Sequence, residues 1–124
     1  VVNHSEAQEL TGCRITTPAA ALEAAQRLFP RGIRAAIVSL GGQGLSLASA
    51  TTTEVVPALA VEAVDTTGAG DALIAGLAVA LAEGRSLTEA ARWGAATAAL
   101  AVTRSGTADA MPWRAEVERV LQTR

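Results

Sequence analysis

The chain has 124 residues, half of them hydrophobic and 18% charged, with a formal net charge of −2. That length bounds it to one ordinary domain, and the composition is that of a folded chain without the basic footprint that nucleic acid or an anionic membrane surface requires. There is one cysteine, Cys13, and one histidine, His4; every basic residue is arginine. This excludes a disulfide framework, a Cys/His zinc site, a Ser–His–Asp triad that does not use His4, and any chemistry that needs a Walker, Schiff-base or kinase-strand lysine. No apolar run reaches membrane-spanning length and no signal peptide opens the chain, so a cytoplasmic protein is expected. The chain opens at Val1 without a methionine, which reads as a fragment.

Roughly a quarter of the chain is alanine and only Phe29, Trp93 and Trp113 are aromatic, which predicts close helix–sheet packing rather than a core of large rings. Val1-Val2 reads as the end of a buried strand. Ser5-Glu6-Ala7-Gln8 reads as a capping box that opens a short helix ending at Gly12. Thr17-Pro18 opens a second helix, with Leu22, Ala25, Leu28 and Phe29 on one face and Pro30-Arg31-Gly32 as its stop. Ala35 to Leu40 is a continuous apolar run expected to be a strand buried on both faces. Gly41-Gly42-Gln43-Gly44 is a turn, and Leu45–Ala48, Glu54–Pro57 and Ala60–Val64 are expected short strands.

Asp65-Thr66-Thr67-Gly68-Ala69-Gly70-Asp71 is a glycine-rich loop. A strongly apolar helix follows from about Asp71 to Glu83, ended by Gly84. Ser86-Leu87-Thr88-Glu89 caps an alanine-rich helix to about Thr103, and Pro112 starts a last amphipathic helix with Val117, Val120 and Leu121 inward. Strands alternating with helices predict an α/β fold with a largely parallel sheet. The solitary thiol of Cys13, following the helix-ending Gly12, is expected to lack a charged activator and to be inert, His4 to be a solvated surface residue, and the two tryptophans to be core or rim packing.

The glycine-rich loop carries the most chemistry. Gly68 and Gly70 let the backbone turn and approach a ligand closely, and the loop runs into a helix start, where unpaired N–H groups and the positive dipole end favour an anion such as phosphate. A carboxylate at that point, Asp71, suits the task of taking a proton from a hydroxyl that attacks phosphorus. The same residues also suit a plain reading, with Asp71 as helix N-cap and the glycines as turn formers.

Residues 65–71 resemble the C-terminal signature of the ribokinase/phosphofructokinase-B family of carbohydrate kinases. Other matches follow in family order. Asn3-His4-Ser5-Glu6 is similar to its N-x-x-E motif, and Ser39 to Gly44 to its nucleotide-site strand and turn. Residues 101–106 with Met111-Pro112-Trp113-Arg114 are similar to the tail of its ribokinase branch. The resemblance covers essentially the whole chain and implies the C-terminal, nucleotide-binding portion of a ribokinase-like fold. The N-terminal half, with the sugar-binding strands, the lid and the homodimer contacts, is absent, so the isolated residues are expected to turn over poorly. The implied activity is transfer of a phosphoryl group from ATP to the primary hydroxyl of a pentose such as D-ribose, with another family kinase or a non-catalytic nucleotide-binding module as the alternatives.

Under that resemblance Asp71 is the base, and the amides of Gly68, Ala69 and Gly70 form an anion hole. Asn3 reaches the nucleotide phosphates and Glu6 organises Mg2+ through water. Ser39, Leu40, Gly41, Gly42, Gln43 and Gly44 line the nucleotide pocket. Asp65 and Thr67, with backbone carbonyls of Ala101, Arg104 and Gly106, hold a monovalent cation such as K+. The chain departs from the family pattern at Ala110, where a serine can stand in the cation site, and at Ala95, where relatives often place Asn or His near adenine.

Overall fold

The computed structural model describes residues 1–123, which divide into two compact units, Val1–Ala58 and the residues from Leu59 onward. In the first unit, β1 (Val2–Asn3), α1 (His4–Thr11), α2 (Pro18–Leu28), β2 (Ala35–Ser39), β3 (Leu45–Ser49) and β4 (Thr53–Val56) follow one another. The sheet order is β1-β2-β3-β4. β1 pairs with β2 in parallel, with Asn3 opposite Ser39, because two helices lie between them and give the chain room to cross over. The β2–β3 and β3–β4 pairs are antiparallel. The expected largely parallel sheet is therefore mixed: the links at residues 40–44 and 50–52 are too short for a parallel connection, which needs a dozen residues or more.

Helix α2 begins as its sequence predicts, with the Thr17 hydroxyl accepting the Ala20 N–H at 3.2 Å and proline in the first turn. Its inner face is mostly alanine. Ala21, Ala24 and Ala25 are fully buried, together with Leu28, against Ala36, Val38 and Ala48 of the sheet, while Leu22 and Phe29 are half-buried. Small side chains bring helix and sheet close, and the backbone contacts that result replace ring packing. β3 is the most enclosed strand. Its Ser46 is fully buried and donates its hydroxyl to the Pro18 carbonyl at 2.8 Å, so no buried polar atom is stranded there.

The turn between β2 and β3 depends on Gly44. Its φ of 94° and ψ of −144° lie in a region only glycine occupies at low cost, and a Cβ there would stand 2.1 Å from the Val56 carbonyl oxygen.

In the second unit α3 (Ala69–Ala82) and α4 (Leu87–Ala101) form an antiparallel pair, and α5 (Arg114–Gln122) packs on α4. The pair is pressed together at two glycines. A Cβ on Gly76 would meet the Thr97 hydroxyl oxygen at 2.3 Å, and one on Gly94 would meet the Leu73 carbonyl oxygen at 2.7 Å. α4 opens with the expected capping box, Ser86 and Glu89 bonding each other's backbone N–H. It ends at Ala101 rather than Thr103. The last helix starts at Arg114, two residues after Pro112, with the Glu116 carboxylate accepting the Trp113 N–H at 2.7 Å.

Segment 60–64, expected to be a strand, has no ladder. Val64 and Asp65 instead both donate their N–H to the Val102 carbonyl. Trp93 is buried, with the Arg85 guanidinium 4.4 Å and that of Arg114 5.4 Å from its ring centroid. Arg114 also pairs with Glu83 and Glu118, so one arginine ties the end of α3 to α4 and α5. Trp113 is not packed as expected: it is 81% exposed. No helix among the described residues is long and apolar enough to cross a membrane.

Candidate active site

Helix α3 begins two residues earlier than the glycine-rich pattern implied. Gly68, not Asp71, is its cap, and it holds a left-handed conformation with φ 77° and no side-chain cap bond. Asp71 is therefore the third residue of the helix. It is exposed, and its carboxylate has no hydrogen-bond or ion-pair partner among the described residues. The plain N-cap reading of Asp71 fails on this geometry.

The Ala69 N–H turns to the Thr66 carbonyl at 3.2 Å, whereas the N–H groups of Gly68, Gly70 and Asp71 have no acceptor among the described residues. The unsatisfied donors at the positive end of α3 are thus Gly68, Gly70 and Asp71, with Ala69 committed to the turn. Gly70 differs from Gly68 in an informative way. Its φ is not positive, and a Cβ built on it meets nothing within 4 Å. Neither the fold nor its neighbours demand glycine at 70.

Asp65 fastens this loop from behind. Its Oδ1 accepts the Thr67 N–H at 2.9 Å and its Oδ2 accepts the Gly106 N–H at 3.1 Å. The Thr67 hydroxyl, followed by the Thr67 and Gly106 N–H groups, holds the Asp65 carboxyl below its ordinary value of 3.8. A folded-state pKa that is depressed means the tie is present above the unfolded value and is lost as pH falls through the folded one. The Gly106 amide proton shift should accordingly titrate with a midpoint below 3.8, measurable by NMR, and the titration should vanish in Asp65→Asn.

The structure therefore brings Asp65, Thr67 and Gly106 together. The Ala101 carbonyl accepts the Arg104 N–H at 3.3 Å, and the Arg104 side chain turns away to Glu116. Ala110 is buried in a 3-10 turn at Ala108–Ala110, and Ala95 is half-buried on α4.

In the first unit the motif residues gather at the carboxyl ends of β1 and β2. Asn3 and Glu6 form the capping box of α1: Asn3 Oδ1 accepts the Glu6 N–H and Glu6 Oε2 accepts the Asn3 N–H, both at 2.9 Å. The box expected at Ser5–Gln8 is displaced because Asn3, the last residue of β1, already satisfies the first turn. Beyond Ser39 and Leu40, Gly41, Gly42 and Gln43 form a 3-10 turn that Gly44 closes.

A cleft of about 370 Å3 lies beside it, lined by His4, Ser5, Gln8, Ile15, Thr16, Leu40 and Gln43. Gln8 accepts the Ile15 N–H, and Gln43 donates to the Thr16 carbonyl. The sequence pointed to none of Gln8, Ile15 and Thr16. The His4–Gln8 spacing of one helical turn was the only linear signal, and the approach of residues 15 and 16 is purely tertiary. Cys13 also departs from expectation, since the Arg27 guanidinium reaches its Sγ at 2.9 Å across the α1–α2 connection. No group of three or more His, Cys, Asp or Glu side chains is placed to hold a metal among the described residues.

Residues 1–114 match the pfkB family of carbohydrate kinases. The chain belongs to that family. Among pfkB relatives, the chain is 34% identical over 120 residues to a ribokinase of Haemophilus influenzae, covering 97% of this chain and 39% of that protein. It is 42% identical over 105 residues to a 1-phosphofructokinase of Haloferax volcanii, covering 85% and 34%. Among solved pfkB-type structures, the Arabidopsis thaliana ribokinase complexed with ribose and ATP aligns with a TM-score of 0.86 at 34% identity, over 97% of this chain and 39% of that one. The Escherichia coli phosphofructokinase-2 in complex with potassium aligns with a TM-score of 0.86 at 28% identity, over 98% and 39%. The chain thus has the ribokinase-like α/β fold and spans about two fifths of the length of these relatives.

Proposed function

We propose that this chain is the phosphoryl-transfer portion of an ATP-dependent sugar kinase whose acceptor is a pentose, D-ribose before other family acceptors. One observation carries the reading. An unpartnered carboxylate, Asp71, stands in the same helical turn as three unsatisfied N–H groups at the positive end of α3. A carboxylate there repels the phosphate that the turn attracts, so it has a use only if a hydroxyl comes between them. Asp71 takes the proton of that hydroxyl as the oxygen attacks phosphorus, and the amides of Gly68, Gly70 and Asp71 meet the charge on the transferring group. No lysine is needed, and the chain has none.

The preference for ribose rests on similarity to ribokinases and on the tail residues. The Haloferax relative keeps a phosphorylated ketohexose open as the alternative acceptor.

The donor set suits the implied ions. Glu6 spends one carboxylate oxygen on the Asn3 N–H and keeps the other, which fits a single contact to a hydrated Mg2+ rather than a protein cage. When bound, Mg2+ supplies charge neutralisation at the nucleotide phosphates. Asp65 and Thr67, with the carbonyls of Arg104 and Gly106, would supply an all-oxygen set suited to K+. The Ala101 carbonyl already accepts an N–H, and Ala110 offers no side-chain oxygen. Asn3 and residues 39–44 would lie along the nucleotide.

Gly70 gives a direct check. Gly70→Ala should leave the melting temperature unchanged or slightly raised, since the backbone is helical and the space is open. It should nevertheless weaken nucleotide binding, read by calorimetric titration, because the methyl group would stand where phosphate approaches. The test of the whole reading is ADP release with magnesium and potassium against D-ribose, sugar phosphates and nucleosides, run on this chain and on the natural protein that contains it. Ribose-dependent release supports it. Release with another acceptor moves the substrate within the family, and bound ATP with no release for any acceptor leaves only nucleotide binding.

A further inference from the structure

The segment between α4 and α5 is held mostly by polar ties. Residues 105–109 are exposed, and burial resumes only at Ala110. A stretch with so little apolar contact keeps one conformation only where hydrogen bonds or ion pairs fix it. It grips the glycine-rich loop at three points. The Val102 carbonyl accepts the Val64 and Asp65 N–H groups at 2.8 and 3.1 Å. The Gly106 N–H donates to Asp65 Oδ2 at 3.1 Å. The Thr107 side chain packs on Gly68, where a Cβ would stand 3.3 Å from Thr107 Cγ2. Between the first two grips stands Arg104. Its side chain leaves the segment and meets α5, where Nη1 and Nη2 of the guanidinium donate to the two carboxylate oxygens of Glu116. Glu116 is itself fixed, since its Oε2 accepts the Trp113 N–H at 2.7 Å.

We propose that Glu116 and Arg104 are positioning residues: the last helix, through this ion pair, holds residues 102–107 in the place from which they set the glycine-rich loop and its free N–H groups. That the loop serves phosphoryl transfer rests on the proposed function; the coupling of α5 to the loop does not. Two features separate this pair from an ordinary surface contact. A single-contact pair in solvent contributes little, whereas a guanidinium fork on a carboxylate that also accepts a backbone N–H restricts both partners. The two side chains are only about a third exposed, so salt screens the pair without removing it. The place of Arg104 along the chain matters as much. Gly106 and Thr107 follow it directly after Ser105, so a shift of Arg104 carries both of their contacts with it. N–H groups aimed at a developing charge work only in register, and a misplacement of about 1 Å costs up to about 10²-fold in rate.

The test is a double-mutant cycle in the natural protein that contains this chain. Glu116→Gln keeps an oxygen for the Trp113 N–H, so the start of α5 is retained while the charge that holds Arg104 is lost. Arg104→Gln removes the other partner. Each should lower kcat about tenfold with the KM for ATP within about a factor of two, and the double variant should lose no more than either single one. Hydrogen exchange, followed by mass spectrometry, should be roughly fivefold faster in peptides covering residues 64–68 and 102–108 in all three variants. Glu118→Gln removes the carboxylate that accepts from Arg114 on the same helix and should move neither readout. Additive losses in the double variant overturn the proposal, as does an unchanged kcat in an active enzyme. Unchanged exchange in the two peptides overturns it as well. An equal effect of Glu118→Gln does the same, because the stability of α5 would then be the cause. Exchange does not depend on turnover. A natural protein that releases no ADP with any acceptor would therefore remove the proposed function, while faster exchange at 64–68 would still uphold the coupling of α5 to the loop.

Discussion

Asp71→Asn should reduce phosphoryl transfer by roughly 10²- to 10⁴-fold, the range that a positioned general base contributes, while nucleotide affinity stays within about a factor of two. The separation follows from the geometry. The carboxylate makes no bond within the described residues, so its loss disturbs neither the loop nor the helix. The amides that would meet the phosphate are backbone groups, which the substitution leaves in place. Asparagine has the same shape but cannot hold the proton. The measurement is kcat on the natural protein that contains these residues, paired with calorimetric titration of the nucleotide. A variant that keeps its turnover would show that the proton goes elsewhere, and one that loses nucleotide binding as well would show that Asp71 has a structural duty the fold does not reveal.

The second large effect is on stability. Gly44→Ala should cost about 4 kcal/mol, the sum of an unfavourable backbone conformation and an overpacked contact, each of order 1–3 kcal/mol. The added Cβ would lie 2.1 Å from the Val56 carbonyl oxygen, 2.7 Å from the Ala58 nitrogen and 2.9 Å from the Pro57 carbonyl carbon. All three are backbone atoms, so no side chain can swing away to make room. The expected signature is a melting temperature lower by more than about 10 °C. Gly42→Ala, two residues earlier and with nothing within 4 Å of its Cβ, should show no comparable loss. If Gly44→Ala melts like the wild type, the close passage of β4 past the turn is wrong. The contrast separates glycines the fold requires, at 44 and 68, from those at 42 and 70, where the fold leaves room.

Local structure follows the sequence where one short stretch holds the whole cause. The Thr17-Pro18 helix start, the Ser86–Glu89 capping box, the apolar strand at residues 35–39 and the stop at Gly84 all depend on neighbours within a turn. Where two local options compete, tertiary context decides between them. Ser5–Gln8 and Asn3–Glu6 are both capping-box patterns, and β1 ending at Asn3 settled the choice. Residues 60–64 are strand-like in composition, but a strand exists only where a partner offers a ladder, and their amides found the Val102 carbonyl instead.

By itself the sequence determined the α/β class, the glycine-rich helix start with its carboxylate, and the exclusion of lysine, zinc and disulfide chemistry, because these follow from residue type and short-range spacing. Only the tertiary structure decided that the sheet is mixed, that Gly68 rather than Asp71 caps α3, and that Asp65 fastens the loop to Gly106 forty-one residues away. It alone left one side of an apolar helix uncovered beside Asp71. Each of these depends on which distant backbone group satisfies a donor or fills a face, and spacing along the chain carries no record of that.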